Sequence, residues 1–457
     1  MDRSQAEKQS AESDAGPKRF YVILFCFYLI SVVPYPLERL TSIDLYRDSS
    51  LFSDFVFVLQ VMLLVYFSSL RAKVVRDGMA HSSAKPFSNR SWMKLYAAIP
   101  LMVLIGYLWN GFVVKYFFRE TVNFVFFLSL LHTLATLIHF DARHNWFRIR
   151  RMAKSILLLH LLGIFYFTAA NFDSGIILDR LYRDPLTTGK SGVWDRVYFF
   201  ALAGNEEAYT ILIFLLIGII GLRRRMQTAI LLFSTVFFLY LGTRATFFLF
   251  LILLFIWGFA MYSSVRARIV LTLVPLILVL GFREKILFYV TSAFQFINNL
   301  GDLLKFSSFL DQDNLAFRIE ILWKPVLDKL FSGWVFFTGI SVNGLNHFTT
   351  DVYDDYSALH NTFLYFFAAA GIVGLFVYVK GYLLMLRAYR KTRSIPQDVP
   401  QDHLVNFLLA VVSMFVYALI NNAYSTQGMI TYILLIAVGL CFQSSQAHIP
   451  QVLRIEG

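Results

Sequence analysis

The sequence contains very little cysteine and little charge. Only two cysteines occur among 457 residues, Cys26 and Cys441, and both lie in apolar runs, so there is no disulfide framework and no cysteine-based zinc site. Charged residues make up 15% of the chain, whereas hydrophobic residues make up 58%. A water-soluble protein of this size must cover its exterior with polar groups, so this composition excludes a soluble globular protein.

What the sequence has instead is long apolar runs. A bilayer core is crossed by roughly 20 helical residues, and runs of that length predict an all-α polytopic protein with about 12 transmembrane helices. The runs are continuous rather than alternating, which excludes a β-barrel. We place the spans near residues 20–37, 51–70, 95–114, 122–140, 155–171, 206–222, 227–242, 245–262, 268–282, 361–383, 404–421 and 428–443.

The net charge of +12 acts mainly as an orientation signal. Short connections between alternate spans are strongly basic, as in Arg223–Arg225 and the segment around Arg150. Because such connections remain in the cytoplasm, we predict that both termini are cytoplasmic. The basic residues also favour contact with anionic membrane lipid. Their distribution over many short connections predicts no nucleic-acid partner.

The predicted spans divide the chain into five segments. These are a disordered cytoplasmic tail (1–19), transmembrane helices 1–9 (20–282), a large extracytoplasmic loop containing helices (283–360), transmembrane helices 10–12 (361–443) and a second cytoplasmic tail (444–457). Another long outer segment covers about 172–205. Since long ordered loops on a rigid scaffold often carry function, we expect the functional site on the outer face.

The large loop contains two predicted helices. From Ile286 to Leu304, apolar residues fall on one helical face and polar residues on the other. This amphipathic helix either packs on the transmembrane bundle or forms one wall of a groove that admits lipid-linked substrates. Arg318 begins the second predicted helix, which Pro325 breaks or kinks.

Polar residues also stand at the outer ends of two spans. Arg244, in Leu-Gly-Thr-Arg-Ala-Thr, is expected at or slightly within the outer membrane surface. There it either snorkels to headgroups or serves a paired, functional role, and a guanidinium can bind phosphate oxygens bidentately. His360 and Asn361 precede a span in which Gly371 and Gly374 permit close helix packing.

Together these motifs resemble the O-antigen ligase and polymerase family of bacterial membrane glycosyltransferases. The resemblance is carried by Gly-Thr-Arg244-Ala-Thr, by Arg318 followed by a helix with tryptophan, and by Leu-His360-Asn361-Thr-Phe-Leu leading to Gly-Ile-Val-Gly-Leu. The segment Leu-Ala-Gly-Asn205-Glu-Glu-Ala is loosely similar to a further family feature. The order, spacing and membrane side of the motifs agree from about residue 20 to 443.

The resemblance implies a GT-C-like protein of the bacterial inner membrane whose active site is on the periplasmic face. It implies a glycan donor carried on undecaprenyl diphosphate and functional roles for Arg244, Arg318 and His360. The acceptor is either the lipid A core, in an O-antigen ligase, or a second lipid-linked glycan, in a polymerase. We favour the ligase.

The chemistry of such a transfer suits these residue types. Charge develops on the departing diphosphate, and Arg244 and Arg318 are expected to stabilise it through bidentate contacts. His360 is expected to accept the proton of the attacking sugar hydroxyl as general base. Asn361 and Asn205 are expected near the substrate. We predict inversion at the anomeric carbon, with no metal and no cofactor.

Several alternatives remain open. His360 could instead cap its span, Arg318 could pair with Glu320, and Asn361 could orient its neighbour or cap the helix. Asp311 and Asp313 form a short motif that elsewhere binds a divalent cation. A different class of protein, a carrier or flippase for lipid-linked sugars, would also have many spans and basic cytoplasmic loops, although the two halves show no internal repeat.

A second metal alternative involves His132 and His139. They lie seven residues apart on one predicted helix. No carboxylate or cysteine set converges on them in the sequence, so they are not expected to bind a metal.

Overall fold

The structure is a computed structural model in which nearly all of the described residues are helical. It describes residues 3–34, 36, 50–81, 90–110, 114–170, 204–241, 243–265, 268–269, 273, 323–341, 359, 361–394, 400–421 and 423–444. Within them lie the helices α1 (Arg3–Val32), α2 (Ser50–His81), α3 (Arg90–Asn110), α4 (Val114–Phe140), α5 (Ala142–Ala170), α6 (Gly204–Gly218), α7 (Arg224–Tyr240), α8 (Arg244–Met261), α9 (Lys324–Leu330), α10 (Val335–Thr338), α11 (Thr362–Arg393), α12 (Gln401–Ile420) and α13 (Thr426–Ser444).

Five stretches of helix among the described residues are long and apolar enough to cross a membrane. They are Asp54–Asp77, Phe117–Phe140, Thr362–Arg393, Gln401–Ile420 and Thr426–Ser444. Shorter apolar stretches occur at Met93–Leu108 and Ala245–Met261. The described part of the chain contains no strand. The predicted helical class of membrane protein is therefore confirmed, while the number of about 12 spans stays a prediction.

The described helices belong to two compact units. The first comprises Met1–Ile156, Val326–Val399 and Ala418–Gln451, and the second comprises Leu157–Pro325, Pro400–Tyr417 and Val452–Gly457. In the first unit α4 packs against α2, α3 and α13, and α11 packs against α13, α3 and α10. In the second unit α8 packs against α6 and α7. Helix α13 is the most buried candidate span, with 83% of its apolar window inside the protein.

The start of α1 differs from the sequence prediction. Residues 1–19 were expected to form a disordered tail, but helix α1 begins at Arg3. Its first part is rich in alanine, glutamate, glutamine and lysine, which are among the strongest helix formers. A polar composition therefore does not by itself predict disorder.

Helix α11 is broken in its middle. Ala370 (φ −144°, ψ 28°) and Gly371 (φ 62°, ψ −158°) depart from helical geometry. The break frees backbone groups, and a carbonyl at membrane depth needs a donor from within the protein. That donor comes from another segment, since the backbone N–H of Ile340 lies 2.6 Å from the carbonyl oxygen of Ala368.

The segment that packs into this break is α10 with the residues that follow it. Ile340 and Ser341 are buried. On its other side the segment meets α3, where a Cβ at Gly106 would lie 3.3 Å from the Thr338 carbonyl oxygen. Gly371 is nine residues after the start of α11, about 13 Å along the helix axis. Part of the segment predicted as one extracytoplasmic loop therefore packs well down the side of a candidate span.

The break predicts a specific requirement for glycine at position 371. Its φ/ψ values lie in a region that is essentially restricted to glycine, and a Cβ there would overlap the Phe337 carbonyl. We expect Gly371→Ala to lower the free energy of unfolding by about 3 kcal/mol or more. Thermal unfolding midpoints of purified protein in one detergent would measure the change.

Gly333→Ala is the matched control. Gly333 also has a positive φ of 68°, but nothing lies within 4 Å of an added Cβ. We expect a cost of about 1 kcal/mol there, from backbone strain alone. Equal effects of the two substitutions would contradict the close packing described at the break.

Candidate functional site

The structure describes three of the five predicted site residues to different extents. Asn361 is described with its side chain, and Arg244 and Asn205 are described as helical residues near the starts of α8 and α6. His360 and Arg318 lie outside the described residues. Their predicted roles therefore stay predictions.

Asn361 forms the N-cap of α11. Its side-chain oxygen accepts a hydrogen bond of 3.0 Å from the backbone N–H of Leu364, and its φ of −152° and ψ of 110° are extended. This is the usual geometry for satisfying a free N–H group in the first helical turn. The side-chain oxygen is thus occupied by the helix, which agrees with the capping alternative for Asn361. Residue 360 immediately precedes this cap.

The first turn of α11 is fixed by contacts to the connection between α12 and α13. Thr362 is fully buried, and its hydroxyl donates a hydrogen bond of 3.0 Å to the backbone carbonyl of Asn421. Tyr365 stacks on Tyr424 with ring centroids 3.8 Å apart and an interplanar angle of 6°. The first turn of α11 is therefore held by contacts to a second segment of the same unit.

In the second unit, α6 and α8 begin at the same end. Short connections join α6 to α7 and α7 to α8, and α8 packs against both of the other helices. Tyr209 near the start of α6 faces Thr246 near the start of α8. Asn205 and Arg244 therefore lie near the same end of two packed helices.

The start of α8 has the form of an anion-binding helix end. Its N-cap is Thr243, a fully buried residue whose side chain makes no capping hydrogen bond. The backbone N–H of Phe247 bonds to the Thr243 carbonyl, while the N–H groups of the preceding turn have no intrahelical partner. Such N–H groups and the positive end of the helix dipole attract phosphate, and Arg244 adds a full positive charge.

A buried ionisable pair in the same unit was not predicted from the sequence. His160 Nδ1 and Glu207 Oε1 lie 2.8 Å apart, and both side chains are fully buried. An ionisable pair among apolar helices marks a functional site by default. The glutamate was visible as part of the Asn-Glu-Glu segment, and the histidine as a polar residue inside an apolar run. Their separation of 47 residues concealed the pairing.

The pair lies below the end of the longer helix. Helix α5 continues ten residues beyond His160, to Ala170, which is about 15 Å. Glu207 lies three residues after the first described residue of α6, Gly204.

The described residues include no group of three or more histidine, cysteine, aspartate or glutamate side chains that could hold a metal ion. His132 instead lies close to Tyr96, with 3.4 Å between its Nδ1 and the phenol oxygen. Asp311 and Asp313 lie outside the described residues, so the metal-free mechanism stays a prediction.

Comparisons with known proteins give no family assignment. A scan against protein-family models finds no match to this chain, and a search of curated proteins finds none either. The family resemblance therefore rests on the motifs alone.

The buried pair predicts strongly non-additive mutations. We expect His160→Ala or Glu207→Ala alone to cost about 3 to 5 kcal/mol, because each removes one member of a fully buried ionisable pair. Replacing both together, with His160→Phe and Glu207→Leu, is expected to cost much less than the sum of the costs of the two single substitutions. Unfolding free energies from a denaturant titration in mixed micelles would give the coupling energy.

Thr168→Ala provides the control on the same helix. The Thr168 hydroxyl makes a neutral hydrogen bond of 2.7 Å with the Tyr240 hydroxyl, and we expect its loss to cost about 1 kcal/mol. Additive effects at 160 and 207 would contradict the coupling of the pair.

Proposed function

We propose that this protein is an inverting glycosyltransferase that works on the periplasmic face of the bacterial inner membrane. In this proposal the donor is a glycan on undecaprenyl diphosphate, and the acceptor is a sugar hydroxyl of the lipid A core. The protein is then an O-antigen ligase. No metal ion or cofactor takes part in the reaction.

The start of α8 is the observation that carries the proposal. A diphosphate leaving group needs cationic and N–H donors at the membrane surface. Arg244 supplies the cation at a helix end whose N-cap side chain, Thr243, does not bond to the first turn. The adjacent start of α6 brings Asn205 to the same end, where its amide can bind the donor.

The proposed reaction is a single displacement. The oxygen of the acceptor hydroxyl attacks the anomeric carbon as the bond from that carbon to the diphosphate oxygen breaks. The bonding electrons leave with undecaprenyl diphosphate, whose charge Arg244 and Arg318 stabilise. His360 takes the proton from the attacking hydroxyl. Attack opposite the leaving group inverts the anomeric configuration.

The cap at Asn361 supports the assignment of His360 as base. A base is effective only when it is held within hydrogen-bond reach of the proton it removes. Residue 360 is joined to a helix start that is held by the Asn361 cap, the Thr362 hydrogen bond and the Tyr365–Tyr424 stack. In this proposal Asn361 supports the neighbouring base, and its side-chain oxygen has no direct substrate contact.

A polymerase of the same family is the second candidate within this chemistry. It would lengthen a lipid-linked glycan without lipid A core, whereas the ligase needs that core as acceptor.

A carrier for lipid-linked sugars would leave the covalent structure of its substrate unchanged. The buried His160–Glu207 pair is the feature most typical of a carrier, because transporters use such pairs to relay protons.

His360→Ala tests the proposed base. With purified protein, lipid-linked glycan and lipid A core, we expect the initial transfer rate to fall by about 10² to 10⁴. His347→Ala changes another histidine of the same segment and is expected to leave the rate near that of the wild type. If His360→Ala retains both the wild-type rate and the wild-type unfolding midpoint, His360 is not the base.

Arg244→Lys tests the proposed diphosphate contact. Lysine keeps the charge but cannot form the two parallel hydrogen bonds of a guanidinium. We expect kcat to fall by about 10² or more, because the lost contact acts mainly on the leaving group in the transition state. Arg225→Lys, at an exposed arginine next to the start of α7, is the control and should leave kcat unchanged. An unchanged kcat for Arg244→Lys would exclude bidentate phosphate binding at this position.

A further inference from the structure

A polar cluster in the first unit is not used by the proposed reaction. It centres on Arg71 of α2, whose guanidinium reaches across to α4. Its Nη1 group lies 3.1 Å from the Ser129 carbonyl oxygen, 2.7 Å from the Ser129 hydroxyl and 2.8 Å from the Thr133 hydroxyl. Both Ser129 and Thr133 are buried. The guanidinium is therefore held by one terminal nitrogen in a fixed orientation.

The Nε–H group of the same guanidinium remains available among the described residues. Its Nη2 group donates to the Ser68 hydroxyl at 3.0 Å, which uses one of two hydrogens. The Nε–H group and the second Nη2 hydrogen make no hydrogen bond among the described residues. Nε and Nη2 together form the edge that binds two oxygens of a phosphate or carboxylate in parallel.

Arg71 also lacks an anionic partner in the described part of the chain. The titratable side chain that interacts with Arg71 there is Tyr96 of α3. The charge of Arg71 acts in turn on His132 of α4. By contrast, Arg119 on α4 forms an ion pair with Asp54 on α2. A guanidinium among membrane-spanning helices is stable when an anion or several acceptors compensate its charge. The contacts of Arg71 provide acceptors on one edge but no negative charge.

The position of Arg71 makes a lipid phosphate accessible to it. Arg71 lies six residues before Asp77, the end of its apolar span, which is about 9 Å. Tyr96 lies three residues after Met93, the start of the apolar stretch of α3. Val65 on α2 and Met93 on α3 are exposed apolar residues and therefore face lipid. By the orientation predicted from charge, this end of the helices is in the cytoplasmic leaflet.

We propose that Arg71 and the residues bordering it, Tyr96 and His132, form a binding site for the phosphate group of a membrane phospholipid. The Nε–H group and the remaining Nη2 hydrogen bind phosphate oxygens, and the acyl chains lie along the lipid-facing sides of α2 and α3. Basic sites between membrane helices at the cytoplasmic surface suit anionic headgroups. This site does not depend on the proposed transferase reaction.

Native mass spectrometry of the full chain in detergent tests this proposal. The probes are dioleoyl phosphatidylglycerol and dioleoylglycerol, which has the same chains but no phosphate. For the wild type we expect tighter binding of the first phosphatidylglycerol molecule than of dioleoylglycerol. Arg71→Gln should weaken the phosphatidylglycerol binding by about tenfold or more, because it removes charge-assisted hydrogen bonds. Lys73→Gln, at an exposed residue two positions away on α2, should leave it unchanged.

Two further measurements separate loss of the binding site from loss of the fold, and binding of lipid from binding of soluble phosphate. Arg71→Lys retains the cation and removes the two-donor edge, so it should also weaken phosphatidylglycerol binding even if Arg71→Gln fails to fold. Displacement of the bound lipid by millimolar inorganic phosphate would identify soluble phosphate, rather than lipid, as the source of the oxyanion. Wild-type binding that is equal for the two lipids, or equal for wild type and Arg71→Lys, would overturn the proposal.

Discussion

Every polar group at bilayer depth needs a partner within the protein, because lipid offers none. The break in α11 shows the consequence most directly. The Ala368 carbonyl accepts its hydrogen bond from Ile340, so the segment after α10 must pack into the break. That packing in turn requires glycine at position 371, where the conformation and the approach of Phe337 both exclude a side chain. The broken turn of α11 thus determines where the segment that contains Ile340 lies.

The same constraint applies to the polar side chains and separates structural groups from candidate sites. The Asn361 side-chain oxygen and the Thr362 hydroxyl bond to backbone groups and fix a helix start. His160 and Glu207 satisfy each other across two helices. The first turn of α8 beside Arg244 donates no capping bond to the Thr243 side chain, and the Arg71 guanidinium has no anionic partner among the described residues. Donors of this kind suit phosphate, which both the proposed donor substrate and membrane lipids carry.

The sequence predicts those features that depend on composition and local pattern. Apolar runs gave the helical membrane class, and the position of Asn361 before an apolar run allowed for its role as a helix cap. The break at Gly371 was not predicted, because its Gly-Ile-Val-Gly context also fits close packing of an unbroken helix. The His160–Glu207 pair depends on contacts between separate helices, which no local pattern reveals. The extension of α1 shows that a polar, helix-forming segment can be mistaken for a disordered one.

The central claim is that the chain breaks the bond between a glycan and undecaprenyl diphosphate and joins the glycan to a sugar hydroxyl. The most direct measurement is simultaneous quantification of released undecaprenyl diphosphate and newly formed glycosidic linkage, using purified protein, donor and lipid A core. Equal amounts of the two, with inverted anomeric configuration in the product, are the predicted result. Retained configuration would contradict the single displacement, and an unchanged donor in the presence of folded protein would contradict the transferase itself.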